Sequence, residues 1–338
     1  MLRVTILSIV ACCLVALAPA AAIPKVIFDT DMTGDCDDCG ALAMLHALAD
    51  AGEVEILGCI SSYGANPYVP GCIDAINTYY GRGDLPIGCE QSDYGRPDSA
   101  YLEAIAKDQE AYGHDVVTKA DVPDHVTVYR QLLAAQPDKS VTIVTVGRLK
   151  GIYDLVVSKP DGHSPLDGKA LVEQKVVNWV CMGGRYPNTA RERSANFCSF
   201  GGGEYTGKAI EAWPLPVIFT GFEVGRAIET GTKLIEQGDE NPVARAYRLW
   251  FTTMTPNRKP FRRPSWDQTG ILIAVRGTDP WWNVVSEGYN HIHDEGVNEW
   301  HSTPDNPLHR YVVPKAPPGE VAVVISELMI RPPVRGVE

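Results

Sequence analysis

Apolar runs of strand length alternate along this chain with segments whose apolar residues recur at helical spacing, and this alternation narrows the possible folds more than any other feature. Residues 25–29 (KVIFD) read as a first strand, 54–60 (VEILGCI) as a second, 141–146 as a third, and 176–182 and 215–219 as further buried strands. Between them, Ala41, Leu42, Leu45 and Leu48 share one helical face, and 72–80 and 126–135 also read as helices. Strand, helix, strand, helix in sequence predicts an α/β fold: an open, mostly parallel central sheet with helices on both faces. Ligands of such sheets collect at the carboxyl ends of the strands. From about residue 238 the pattern changes. Residues 244–253 and 268–275 read as helices, 256–264 as a basic, proline-containing loop, and the stretch from 278 onward as irregular structure with short strands and a last helix at 325–330. We read this as the closing part of one domain, 23–338, without internal repeats.

Of the 338 residues, 45% are hydrophobic, enough for a sizeable core and against wholesale disorder. The formal net charge is −12 and no basic stripe interrupts it, which excludes a nucleic-acid polymer as the natural partner. A small neutral ligand or a cation fits better. Residues 1–22 read as a signal peptide: Arg3 supplies a positive start, 4–17 is almost wholly apolar, and Ala18-Pro-Ala20-Ala-Ala22 offers small residues for cleavage. The run is too short for a comfortable membrane span, and no other stretch qualifies. The expected location is therefore secreted or periplasmic, without stable membrane insertion. Beyond this segment seven cysteines remain, an odd number spread through a large chain, which reads as small buried hydrophobes and not as a disulfide framework. Cys36 and Cys39 form a C-x-x-C, but the two residues between them are aspartates. Negative charge raises a thiol's pKa and works against redox use.

The loop after the first strand reads Asp29-Thr-Asp31-Met-Thr-Gly-Asp35-Cys-Asp37-Asp38, five carboxylates within ten residues. It lies between an apolar strand and an apolar helix, so it cannot splay wholly into water. Uncompensated, these groups repel one another and raise each other's pKa values. Capping of the following helix accounts for Asp37 or Asp38, but not for five. A hard cation held by oxygen ligands is the natural compensation.

This loop resembles the N-terminal DTDPGxDD motif of the inosine–uridine nucleoside hydrolase family, in a form two residues longer that is similar to a divergent branch. Residues 57–66 (LGCISSYGAN), 141–149 (VTIVTVGRL), Cys181-Met-Gly-Gly184, Asn196 and Arg263-Pro-Ser-Trp-Asp267 continue the likeness in order, over about 25–275. The resemblance implies a calcium-dependent N-ribohydrolase acting on a small-molecule riboside, with dimers or tetramers usual. It implies Asp31 as metal ligand and general base, Asp38 and Asp267 as further carboxylate ligands, and the Val146 carbonyl as a backbone ligand. Asp37, Asn66 and Asn196 would hydrogen-bond the ribose, and Asp29 would support the cluster. Calcium accords with export, because weaker sites suffice outside the cell.

Two positions depart from the family pattern. Trp266 stands where a leaving-group histidine is usual, and it can stack on a flat heterocycle but does not titrate. Ser194 replaces an expected glutamate. His114, Tyr186, Arg185 and Arg263 are the substitutes weighed for leaving-group assistance. Two other readings compete. Phe28-Asp-Thr-Asp31-Met-Thr33 fits the signature of haloacid-dehalogenase-type, magnesium-dependent phosphatases, with Asp29 as nucleophile. A secreted riboside- or sugar-binding protein without turnover is the second.

Overall fold

The computed structural model describes residues 23–257 and 259–334. The segment read as a signal peptide lies outside the described residues.

Six strands follow one another through the first two thirds of the chain: β1 (Lys25–Thr30), β2 (Glu55–Ser61), β3 (Ile87–Cys89), β4 (Val141–Thr145), β5 (Val176–Met182) and β6 (Val217–Thr220). Two short strands, β7 (Glu229–Thr230) and β8 (Arg263–Pro264), pair with each other. β9 (Trp282–Val285), β10 (Tyr289–Ile292), β11 (Asn298–His301) and β12 (His309–Pro314) complete the series. The main sheet has eight strands in the order β3-β2-β1-β4-β5-β6-β12-β9. All neighbours run parallel except the edge pair β12–β9, which is antiparallel. The expected α/β sheet is therefore present, and strands near the chain's end extend it: Tyr311 of β12 pairs with Phe219 of β6.

Side chains of a strand alternate between faces, and β1 divides its residues accordingly. Val26 and Phe28 enter one apolar cluster, Ile27 the other. The first cluster holds α1 (Asp37–Asp50) and the helices Val69–Tyr79, Pro242–Met254, Trp266–Arg276 and Pro318–Met329. The second holds His125–Ala134, Lys150–Val157, Gly168–Lys175 and Gly202–Ala212. α1 is buried from Asp37 to Leu48. Its small residues permit this, since a Cβ on Gly40 would lie 2.5 Å from the Tyr247 hydroxyl. All seven cysteines among the described residues are buried and free. Burial first, and then the Asp35 charge, pushes the Cys36 thiol well above its usual range, which leaves the C-x-x-C without thiolate chemistry.

The sheet order reverses between β1 and β4: β2 and β3 lie to one side, β5 and β6 to the other. At such a switch point the connections leave in opposite directions and open a crevice at the strands' carboxyl ends. Asp31 follows β1 and Val146 follows β4, so both emerge at this crevice.

Candidate active site

A cavity of about 260 Å³ occupies the crevice, lined by segments 31–38, 146–148, 182–184, 194–200 and 263–267 in part, with Phe222. Of the eight residues expected from sequence, Asp31, Asp37, Asp38, Val146, Asn196, Trp266 and Asp267 line it. Asn66 is not among its lining residues. Its amide donates to the Pro97 carbonyl at 2.5 Å and its oxygen accepts from Tyr68 N at 3.0 Å, so the side chain closes a local turn. These bonds fix the orientation of the Asn66 amide and leave it one N–H and one lone pair.

The acidic loop turns sharply at Gly34, whose φ of +86° suits glycine. Gly147 permits a second close approach: a Cβ there would lie 2.8 Å from Asp31 N. The turn after β4 thereby presses against Asp31. Asp38 is held by Thr30 Oγ1, which donates to its Oδ1 at 2.5 Å, and by Met32 N at 3.1 Å. Asp37 Oδ2 accepts the backbone amides of Trp266 (3.1 Å) and Asp267 (3.3 Å). The N-termini of α1 and of Trp266–Arg276 thus meet at the cavity, and both helix dipoles favour negative charge there.

Asp38 and Asp267 lie close enough in the cavity for their charges to act on each other. Burial, and then the charge of Asp35, raises the Asp38 carboxyl to about 7. Burial, followed by the charges of Asp38 and Asp35, drives Asp267 well above the carboxylate range. Such mutual repulsion is relieved by protons or by a cation. The cavity lining contains five carboxylates and two guanidinium groups, those of Arg148 and Arg263. Asp35, Asp37 and Asp38 each offer an oxygen within 4.8 Å of the others. An oxygen-only, negatively overcharged donor set fits a hard cation.

Other contacts qualify the expected roles. The Val146 carbonyl accepts from Asn196 Nδ2 at 2.7 Å. A carbonyl oxygen has two lone pairs, so one remains for a further partner. The Trp266 indole N–H donates to the Phe222 carbonyl at 2.8 Å, which spends its one donor. What Trp266 offers is its ring, stacked on Phe222 at 5.3 Å. Of the four residues weighed for leaving-group assistance, Arg263 alone lines the cavity, paired with Asp35. His114 bonds the Ala106 carbonyl, Tyr186 stacks in the core on Phe219 and Tyr311, and Arg185 lies over the Phe222 ring.

Arg148 was not anticipated from sequence. Its guanidinium pairs with Asp31 and lies 4.9 Å from the Tyr63 ring centre and 5.4 Å from that of Phe200. Burial lowers its pKa to about 10, against the pull of Asp267. The available signal was an arginine directly after an apolar strand and a glycine, at the strand end where ligands gather. Ser194 Oγ is also buried in the lining and lacks a hydrogen-bond partner.

Asp29, the nucleophile of the phosphatase reading, is not among the lining residues. Both its oxygens accept from Ser62 Oγ, at 2.8 and 2.6 Å, and Oδ2 also accepts from Tyr129 at 2.5 Å. Burial raises it to about 6. A fully buried carboxylate held by two hydroxyl donors is a support and not an attacking group.

No family model matches the chain, and no curated protein matches it in sequence. Solved structures do share its fold. A plant nucleoside hydrolase aligns with a TM-score of 0.62 at 16% identity, over 92% of this chain and 100% of its own. An inosine–uridine preferring nucleoside hydrolase from Bacillus anthracis aligns with a TM-score of 0.64 at 15% identity, over 90% and 99%. The type III effector protein XopQ, solved in complex with adenosine diphosphate ribose, aligns with a TM-score of 0.60 at 14% identity, over 93% and 94%. These likenesses establish the fold.

Proposed function

We propose that this protein is a calcium-dependent hydrolase of the N-glycosidic bond of a ribonucleoside or related riboside, acting after export from the cytoplasm. The observation that carries the reading is that Asp31 and Asp38 from one end of the chain and Asp267 from the other line one cavity at the switch point of the sheet, where the oxygens of Asp35, Asp37 and Asp38 lie within 4.8 Å of one another. The fold neighbours named as nucleoside hydrolases support it.

Asp31, Asp38, Asp267 and the Val146 carbonyl would hold the ion. When bound, calcium would lower the pKa of a water and aim it at the sugar's anomeric carbon. Asp31, directly after β1, would take that water's proton once its pairing with Arg148 loosens. Asp37, Ser194 and Asn196 would meet the ribose hydroxyls, with the unpartnered Ser194 Oγ as the readiest of them. As the glycosidic bond breaks, the sugar gains oxocarbenium character, and the excess of carboxylates over guanidiniums favours that positive charge. Phe200, Phe222 and Trp266 give the departing group an apolar, aromatic wall. Arg263 can donate a hydrogen bond to it but does not surrender a proton at neutral pH.

A second reading, riboside binding without turnover, draws on Arg148. A guanidinium paired with Asp31 occupies the carboxylate that hydrolysis needs free. It also repels a dication. One experiment separates the readings: a series of nucleosides and related ribosides, p-nitrophenyl riboside included, assayed for released reducing sugar with calcium and with chelator. Calcium-dependent release supports hydrolysis. Saturable binding of the same compounds without release supports the second reading.

A further inference from the structure

The hairpin β10–β11 carries a cluster that the proposed chemistry does not use. Its inner face is Asn290, Ile292, Asn298 and Trp300, buried or partly buried. Its outer face collects Tyr289, His291, Glu299 and His301. Cross-strand partners are Tyr289 with His301 and His291 with Glu299, and His293 follows two residues after His291, on the same side. The three imidazole rings lie close: 4.4 Å between the centres of His291 and His293, 5.0 Å for His291 and His301, and 6.4 Å for His293 and His301. Glu299 Oε2 stands between two of them, 2.8 Å from His293 Nε2 and 3.2 Å from His301 Nε2.

We propose that His293, Glu299 and His301, with His291 as fourth ligand, form a binding site for a borderline-soft divalent transition metal such as Zn2+, separate from the acidic cavity. Two imidazole nitrogens and a carboxylate oxygen already lie within 4.8 Å of one another. With metal–nitrogen bonds of 2.0–2.1 Å, a tetrahedral ion needs ligand atoms roughly 3.3 Å apart. Of the two nitrogen–oxygen distances across Glu299, that to His301 meets this spacing and that to His293 is about half an ångström shorter, so small rotations of the partly exposed rings complete the set. Imidazole and carboxylate donors suit zinc, copper or nickel, whereas the oxygen-only cavity suits calcium. The two sites therefore sort ions by donor chemistry. Arg191, which donates to Glu299 at 2.9 Å, has to yield, and its exposure makes that displacement cheap.

The location gives the ion a mechanical consequence. Asn298, beside Glu299, accepts from Arg185 N at 2.9 Å and donates to Arg185 O at 2.6 Å. Trp300 N donates to the Pro187 carbonyl at 2.8 Å. The hairpin thus clamps the loop that runs from Gly184 to Asn196 in the cavity wall, and an ion on its outer face stiffens that clamp.

The test uses the tag-free full chain with calcium in excess, so that the acidic cavity is served. Co2+ is added as a spectroscopic probe and Zn2+ as competitor. One equivalent of Co2+ should give the ligand-field absorption of a four-coordinate, nitrogen-rich site, and Zn2+ should abolish it. In the unmodified chain, Zn2+ should shift the ring proton NMR signals of His293 and His301 and spare buried His46. The double variant His293→Ala/His301→Ala should lose the band and weaken Zn2+ binding by more than the roughly 100-fold that loss of an outer partner can cost. Asp38→Asn should leave the band in place. The proposal fails if the unmodified chain gives no such band and no histidine shifts, if the double variant binds Zn2+ as the parent does, or if Asp38→Asn removes the band. None of these outcomes bears on hydrolysis in the acidic cavity, which is scored separately by sugar release.

Discussion

The Asp37 carboxylate accepts the backbone amide of Asp267 at 3.3 Å, and through that bond two helices from distant parts of the chain present their N-termini to one cavity. The same oxygen takes the amide of Trp266 at 3.1 Å. Asp37 therefore sets where Asp267 points, besides whatever it offers a sugar. Asp37→Ala should leave two helix-start amides without an acceptor and cost about 1–2 kcal/mol of stability. It should also weaken cation binding, because Asp267 loses its anchor. Thermal melting and a calcium titration check both effects. An unchanged melting temperature would mean that water replaces the carboxylate at no cost.

Asp38 and Asp267 repel each other across a buried space, so neutralising one has opposite consequences with and without an ion. Asp38→Asn should keep or raise the stability of the metal-free chain, since a buried like-charge contact disappears. The stabilisation that calcium gives the parent should vanish with it, because ligand-induced stabilisation follows occupancy. Sugar release should fall to the level of the chelated parent. Melting curves in chelator and in millimolar calcium decide the matter. A variant that still gains stability from calcium would remove Asp38 from the ligand set.

Arg148 brings a fixed positive charge against Asp31 in a site that is otherwise overcharged with carboxylates. Replacing it by methionine keeps bulk between Tyr63 and Phe200 and removes the charge. Two like charges a few ångströms apart near a protein surface interact by a few kcal/mol. The expected outcome is calcium affinity at least about tenfold higher, equivalent to 1.4 kcal/mol, measured by titration calorimetry. Unchanged affinity would place the ion beyond the reach of Arg148.

How much of this was legible in the sequence follows from the range of the interactions. β1, β2, β4 and β5 announced themselves because a parallel sheet buries both faces and needs unbroken apolar runs. β9 and β12 did not, since their place comes from pairing and not from a local pattern: β12 pairs with β6, far away in sequence, and β9 joins the sheet only through β12. The acidic loop was readable because its charge density admits few explanations. Asn66 lies in the loop after β2, where Asn-Pro is also turn chemistry, and its side chain serves the turn. Trp266 was placed in the cavity, but a sequence does not show that its N–H is spent on Phe222. Arg148 stands within a strand-and-turn motif, and nothing local to it indicates which carboxylate a long side chain will meet.

His125 gives a pH test remote from the cation site. It starts the helix His125–Ala134, and its Nδ1 and Nε2 meet Asp124 at 3.1 Å and Asp154 at 3.0 Å. Burial opposes its charge, yet the hydrogen bonds to the two carboxylates raise it to about 9. The unfolded reference is 6.5. The folded state therefore holds a proton that the unfolded state has released between these two values. This stabilisation is fully present below pH 6.5 and is lost as pH rises through 9. Its ceiling is about 3 kcal/mol, from 1.36 kcal/mol per pKa unit. His125→Gln should be less stable than the parent at pH 6, and the gap should close towards pH 9.5. Urea unfolding at several pH values in constant calcium measures the gap. A gap that stays constant across this range would show that His125 folds in its neutral form and that its two carboxylates act only as acceptors.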